Sequence, residues 1–204
     1  MNHIFAKYRL LLSKALLLAI IIILIISENN IIPDSFVYNI FELIGFILVL
    51  IGIFGRIWSS LYIEGNKTNT LITAGIYSLS RNPLYFFSFL LLLGYCFVIK
   101  SIIVVGMALL IWILIYPRTI KHEEEKLLKI HKDEYLDYYN RTPKIIPNFF
   151  LFKKSKKGSK IDITINNVER VLLESFGFIL FFEIIRFLNY LHYSNILPSF
   201  FIIH

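Results

Sequence analysis

Two polar clusters in an otherwise apolar chain carry the side chains that could do chemistry. The first reads Asn69-Thr70-Leu71-Ile72-Thr73-Ala74-Gly75-Ile76-Tyr77-Ser78-Leu79-Ser80-Arg81-Asn82-Pro83-Leu84-Tyr85. Gly75 permits a tight turn, and Pro83 restricts Asn82 to extended geometry, so the backbone here is irregular. Irregular backbone at membrane depth persists only where it is buried in protein or lines a cavity. Tyr77 and Tyr85 can stack on a ligand or hydrogen-bond to it. The second cluster is His122-Glu123-Glu124-Glu125, four residues beyond Arg118. A carboxylate from it could hold an ammonium group, and Arg118 or Arg81 could hold a carboxylate. That combination suits an amino-acid-like ligand. Taken alone, consecutive carboxylates repel one another and read more simply as a solvated helix face.

Other chemistries lack their residues. The chain has no P-loop, no glycine-rich dinucleotide fingerprint after a strand, no Gly-x-Ser-x-Gly and no histidine pair at helical metal-ligand spacing. His122 and His131 stand nine apart on a charged stretch and read as surface residues. Cys96, the single cysteine, excludes an intrachain disulfide and a cysteine-cluster metal site. No metal is expected.

The surrounding elements are those of a membrane protein. The 204 residues are 57% hydrophobic and only 17% charged, against about 25% charged in soluble proteins, so lipid must cover part of the surface. Leu10–Ile26 reads as a first span, retained as an anchor because Ser27-Glu28-Asn29-Asn30 offers no small-x-small cleavage site. Phe36–Phe54 is the second span, in which Gly45, Gly52 and Gly55 would let neighbouring helices approach closely. Glu42 lies inside it and reads as interfacial or hydrogen-bonded to a neighbour. Leu84–Ile99 and Ile102–Tyr116 are the third and fourth spans. Lys100-Ser101 makes them an antiparallel hairpin, and Pro117 marks the end of the fourth. Thr119–Asn140 reads as a helix outside the hydrocarbon.

Of the 21 Lys and Arg residues, 18 fall before span one, between spans two and three, or between Arg118 and Lys160. The positive-inside rule therefore puts both polar clusters in the cytoplasm. The net charge of +7 is read as loops facing anionic lipid and not nucleic acid, with Lys153–Lys160 as a basic linker near anionic headgroups. Val168–Asn189 carries internal charges and suits an interfacial amphipathic helix slightly better than a fifth span. The expected organisation is an all-α integral membrane protein of four to five transmembrane helices with a cytoplasmic helix and a cofactor pocket. Residues 1–150 form the core; residues 151–204 form the basic linker and a C-terminal amphipathic or membrane-embedded helix. A bacterial chain of this kind would reside in the inner or cell membrane, N-terminus inside.

Five short motifs occur in a fixed order: Leu71-Ile72-Thr73-Ala74-Gly75-Ile76-Tyr77, Arg81-Asn82-Pro83-Leu84-Tyr85, Glu123-Glu124, Tyr135-Leu136-Asp137-Tyr138 and Arg141-Thr142-Pro143. In order and spacing, over Ile44 to about Pro147, the chain resembles the membrane methyltransferases typified by isoprenylcysteine carboxyl methyltransferase, with phosphatidylethanolamine methyltransferases more distant. The resemblance implies S-adenosylmethionine as cofactor, bound on the cytoplasmic side by residues matching Asn69, Thr70, Leu71, Ile72, Tyr77, Arg81, Asn82, Pro83, Leu84, Tyr85 and Glu123. It implies Arg118, Glu123 and Glu124 as the catalytic set. Arg118 is the arginine nearest the family's substrate-facing position, which an ungapped match puts on Thr119. The family's usual histidine before proline is Asn82 here. Asparagine keeps a donor and an acceptor but cannot carry a proton near neutral pH, so binding can survive the change while a histidine base is lost.

The expected reaction is methyl transfer to a lipophilic acceptor entering sideways from the bilayer. A carboxylate acceptor fits best, since it is already ionised and the chain offers no well-placed base for an amine. The rival readings are amine methylation of a phospholipid, an NADPH-dependent membrane reductase and a non-enzymatic membrane scaffold. The reductase would need basic residues for a 2′-phosphate, and few are spare around Asn69–Tyr85.

Overall fold

The computed structural model of the protein describes residues 21–22, 24–25, 27–29, 35–64, 70–154, 165–198 and 201–203. The expected first span falls almost wholly outside the described residues, as do Asn69 and most of the basic linker. The described chain is helical: α1 (Phe36–Glu64), the four-residue α2 (Ile76–Leu79), α3 (Pro83–Ile99), α4 (Ile102–Arg141) and α5 (Ile165–Tyr193). Two three-residue stretches, β1 (Ser27–Asn29) and β2 (Phe201–Ile203), pair in parallel. Two of the helices, α1 and α4, are long and apolar enough to cross a membrane. Their outer faces are apolar as well as exposed, with Phe54, Leu110 and Ile113 uncovered by protein.

Helix α1 continues past Phe54 to Glu64, so Arg56 lies on the helix and not in a loop. Its glycines meet α3 at backbone distance. A Cβ on Gly45 would stand 2.8 Å from the Gly94 carbonyl oxygen, and a Cβ on Gly94 would stand 2.8 Å from the Gly45 carbonyl. A Cβ on Gly55 would enter the Phe87 ring. Small residues at such a crossing let two helices pack without side chains between them. Alanine at Gly94 is therefore expected to cost about 1–3 kcal/mol through overpacking, read as a lowered melting temperature of detergent-solubilised protein. Alanine at Gly106, inside α4 and facing open space, should not lower it and should raise it slightly through helix propensity.

The tight turn expected at Lys100-Ser101 is present. Lys100 takes the left-handed conformation (φ 57°), and the Ser101 side chain caps α4 by accepting from the Val104 N–H. Helix α4 does not stop at Pro117; it runs on to Arg141. The proline removes one backbone donor, and the turn before it is held by packing of Trp112 on Phe89 and of Tyr116 on Tyr85. The break comes instead at Lys132 (φ 45°, ψ −118°). Glu124 and the Tyr139 carbonyl both touch the Arg81 guanidinium, although fifteen residues of straight helix would separate them by about 22 Å. The end of α4 thus folds back on itself.

Helix α5 lies along α1 and α3 over its length. Arg56 of α1 faces Glu174 at 3.6 Å, the Tyr95 hydroxyl donates to the Phe178 carbonyl, and the Asn189 amide donates to the Val98 carbonyl. Glu42 is hydrogen-bonded at the end of the bundle away from the polar clusters. It accepts from Lys100 Nζ at 3.1 Å and from Arg186 Nε at 2.8 Å, tying α1, the hairpin turn and α5 together. The main core is built between these helices, from Val49, Ile53, Leu91, Val98, Phe182 and Ile185.

Candidate functional site

The two polar clusters meet at the start of α3. Gly75 adopts φ 62°, ψ −132°, a conformation reserved for glycine, and a Cβ there would strike the Tyr62 ring at 2.5 Å. The turn it makes seats α2, whose Ile76, Tyr77 and Leu79 form a small core with Tyr62, Ile63, Ile72 and Phe87. Tyr77 is buried in that core. Its hydroxyl donates to the Ser59 carbonyl of α1 and its own carbonyl accepts from the Tyr138 hydroxyl at 2.7 Å. Tyr77 supports the loop, with its hydroxyl already committed. Burial pushes the Tyr138 phenol well above its ordinary range, so it stays a donor at any physiological pH.

The hairpin returns the carboxylates to this loop, and the two glutamates divide. Glu124 is buried, while Glu123 and Glu125 are exposed. Glu124 Oε1 accepts from Arg81 Nε and from Asn82 Nδ2, both at 2.9 Å. The Arg81 guanidinium also donates to the carbonyls of Tyr139 and Thr142, each at 2.7 Å, and stacks on the Tyr139 ring. Asn82 sends its amide to the Lys144 carbonyl as well (3.0 Å). A neutral amide makes both of those bonds from one nitrogen, which explains how asparagine serves here. Arg81, Asn82 and Glu124 form a clamp closed within the protein.

Tyr85 and Glu123 face the open side. The Tyr85 hydroxyl donates to Glu123 Oε1 at 2.7 Å, and the Tyr85 ring meets Tyr116 edge-on. Tyr116 in turn stacks on Trp112, whose buried indole N–H has no hydrogen-bond partner among the described residues. The result is an exposed carboxylate beside an aromatic wall that ends in an orphaned donor. Thr70 is exposed, Leu71, Ile72 and Leu84 are half-buried, and Pro83 is buried as the first residue of α3. Arg118 and His122 are exposed and lie outside the clamp, and His131 is half-buried.

A strap from Thr142 to Lys154 closes the loop from the other side, and only its first residues carried a sequence signal. Arg81 N–H donates to the Pro143 carbonyl (2.8 Å), Asn148 N–H to the Leu79 carbonyl (2.9 Å), and Gly75 N–H to the Lys153 carbonyl (2.9 Å). The hydroxyls of Ser80 and Ser78 add bonds to the Ile145 carbonyl and from the Lys153 N–H. Serines at turns are too common for these bonds to be read from sequence. The aromatic wall of Phe89, Trp112 and Tyr116 was equally hidden inside apolar runs.

A family model for phospholipid methyltransferases matches residues 40–134, the segment from α1 through Glu123 and Glu124. The cobalt-zinc-cadmium resistance protein CzcN of Cupriavidus metallidurans is 30% identical over 156 residues, 76% of this chain and 70% of its own. The chain belongs to the family of phospholipid and isoprenylcysteine methyltransferases. The nickel-cobalt-cadmium resistance protein NccN of Alcaligenes xylosoxydans is 31% identical over 77% of this chain and 72% of its own. The human protein-S-isoprenylcysteine O-methyltransferase is 34% identical over 101 residues, 49% of this chain and 33% of its own. No solved structure matches. The family segment contains both glutamates and the Arg81–Tyr85 run, whereas Tyr138 and the strap that hold them lie beyond it.

Proposed function

We propose that this family member is an integral membrane methyltransferase that uses S-adenosylmethionine to methylate a lipophilic acceptor, most simply a carboxylate. The reading rests on the Tyr85–Glu123 pair, 2.7 Å apart, exposed beside the Trp112–Tyr116 wall. The donor set suits the cofactor: an exposed carboxylate for an ammonium group, aromatic faces for a cation, and one buried N–H without an acceptor among the described residues. When bound, S-adenosylmethionine supplies an electrophilic methyl group on a sulfonium. Glu123 holds the ammonium end, Tyr85 fixes the rotamer of Glu123, and the Arg81–Asn82–Glu124 clamp positions both. Thr70–Ile72 and Leu84 line the cofactor side, and Arg118 faces the acceptor; Asn69, matched to the cofactor site by resemblance, lies outside the described residues. Tyr116 and Trp112 exclude water, which favours collapse of opposite charges. Positioning of this kind can lower a barrier by about 7–11 kcal/mol, and an ionised carboxylate asks no base of the chain.

In this reading the N-terminal apolar run, α1, α3, the first part of α4 and α5 cross the bilayer, with the site and basic linker on the cytoplasmic side. The lengthwise packing of α5 on α1 and α3 supports counting it as a span. Among the described residues no group of three or more His, Cys, Asp or Glu could hold a metal. Membranes containing the protein, incubated with methyl-tritiated cofactor and extracted into organic solvent, should yield base-labile label. Base-stable label would replace the carboxylate by an amine acceptor, and an unlabelled extract would overturn the methyltransferase reading.

A further inference from the structure

The strap that seals the site also projects the most exposed apolar cluster outside the long helices. Phe149, Phe150 and Leu151 form a 3-10 turn, capped by Asn148, whose side chain accepts from the Phe150 N–H. Phe150 is 100% exposed and Phe149 75%, with Ile146 and Phe152 also outward. Such a group is costly in water, and it is not a floppy loop end. Its flanks are pinned to Leu79, Ser78 and Gly75 by the bonds at Asn148 and Lys153. Exposed lysines bracket it at Lys144, Lys153 and Lys154, and the sequence continues with Lys156, Lys157 and Lys160. The cluster is attached to α2 and to the residues that lead into α3.

We propose that this turn is an interfacial wedge: Ile146, Phe149, Phe150 and Phe152 enter the cytoplasmic leaflet while the bracketing lysines contact anionic headgroups. An apolar patch ringed by lysines is complementary to an anionic bilayer surface, and aromatic rings favour the headgroup level. Because the strap is bonded to Gly75, Ser78, Leu79, Ser80, Arg81 and Asn82, the wedge fixes the candidate cofactor loop at a set height against the bilayer. The inference rests on the bilayer placement proposed above and is independent of the reaction.

The test uses full-length protein in nanodiscs of phosphatidylcholine and phosphatidylglycerol. The sole cysteine is replaced (Cys96→Ala), and spin labels are attached at Phe150→Cys, at Phe54→Cys on the bundle exterior and at Asp137→Cys on the folded-back end of α4. The expected result is that the label at 150 is accessible to oxygen and shielded from a water-soluble nickel complex, at a depth of about 5–10 Å, with 137 nickel-accessible. Nickel access at 150 equal to that at 137, with 54 shielded, overturns the wedge alone. Nickel access at 54 as well overturns the bilayer placement. Spin–spin broadening at 150 that vanishes on dilution with unlabelled protein would assign the patch to a second copy and overturn the lipid assignment. If Cys96→Ala does not insert, quenching of Phe150→Trp by brominated lipid gives the same reading, and quenching no greater than in the parent protein overturns it.

Discussion

Glu124→Ala is expected to destabilise the protein by about 3–5 kcal/mol, the typical cost of removing one partner from a buried ion pair. The Arg81 and Glu124 side chains are only 7% and 10% exposed at their 2.9 Å contact. Alanine leaves the guanidinium beside an empty site, strips Asn82 of an acceptor and loosens the folded-back end of α4 from the loop. The melting temperature of the detergent-solubilised protein should fall by several degrees, with cofactor binding lost alongside it. Glu124→Gln keeps an acceptor for both donors and should recover part of the stability. Arg81→Lys should not, because one ammonium cannot serve the glutamate, two carbonyls and the Tyr139 face in the fork geometry of arginine. A variant Glu124→Ala as stable as the parent protein would show that the clamp is not what holds the loop.

Glu123→Ala and Tyr85→Phe should behave in the opposite way. Glu123 is exposed, and Tyr85→Phe keeps the half-buried ring against Tyr116, so stability should move by no more than about 0.5 kcal/mol. Cofactor affinity should carry the effect. Without its bond to Tyr85 the Glu123 side chain must be ordered when the cofactor binds, at about 0.5–1.5 kcal/mol. Tyr85→Phe should therefore weaken binding of S-adenosylmethionine by up to roughly tenfold, and Glu123→Ala by more, since it removes the charge itself. Calorimetry on the solubilised protein reads this directly, with Glu125→Ala as an exposed control. Unchanged affinity in Glu123→Ala would remove Glu123 from the site. The two glutamates are adjacent in sequence, so a split between stability for one and binding for the other is a sharp expectation.

The chain by itself determined the parts that depend on local pattern. Two apolar runs separated by Lys100-Ser101 have no connection available except a tight turn, and an antiparallel hairpin must return its second helix to where the first began. The meeting of Glu123–Glu124 with Arg81–Tyr85 follows from that length matching alone. Gly45 was legible as a close-packing residue because a glycine inside an apolar span has few other uses. The division of labour between Glu123 and Glu124 was not legible. Successive residues on a helix point about 100° apart, and which of them turns inward is set by the rotation of α4 against α3, a property of packing. Arg81 offers the same lesson: its partner lies 43 residues away and its carbonyl acceptors 58 and 61 away. The sequence therefore left it as free to meet a ligand as to meet Glu124. Pro117 signalled an end that packing overrode, and Lys132 gave no sign of the turn it makes. Composition and spacing decided that the polar loop and the carboxylates would share one end of the bundle. Tertiary structure decided which carboxylate is spent holding that end together and which is left facing outward, because only packing sets the phase of one helix against another.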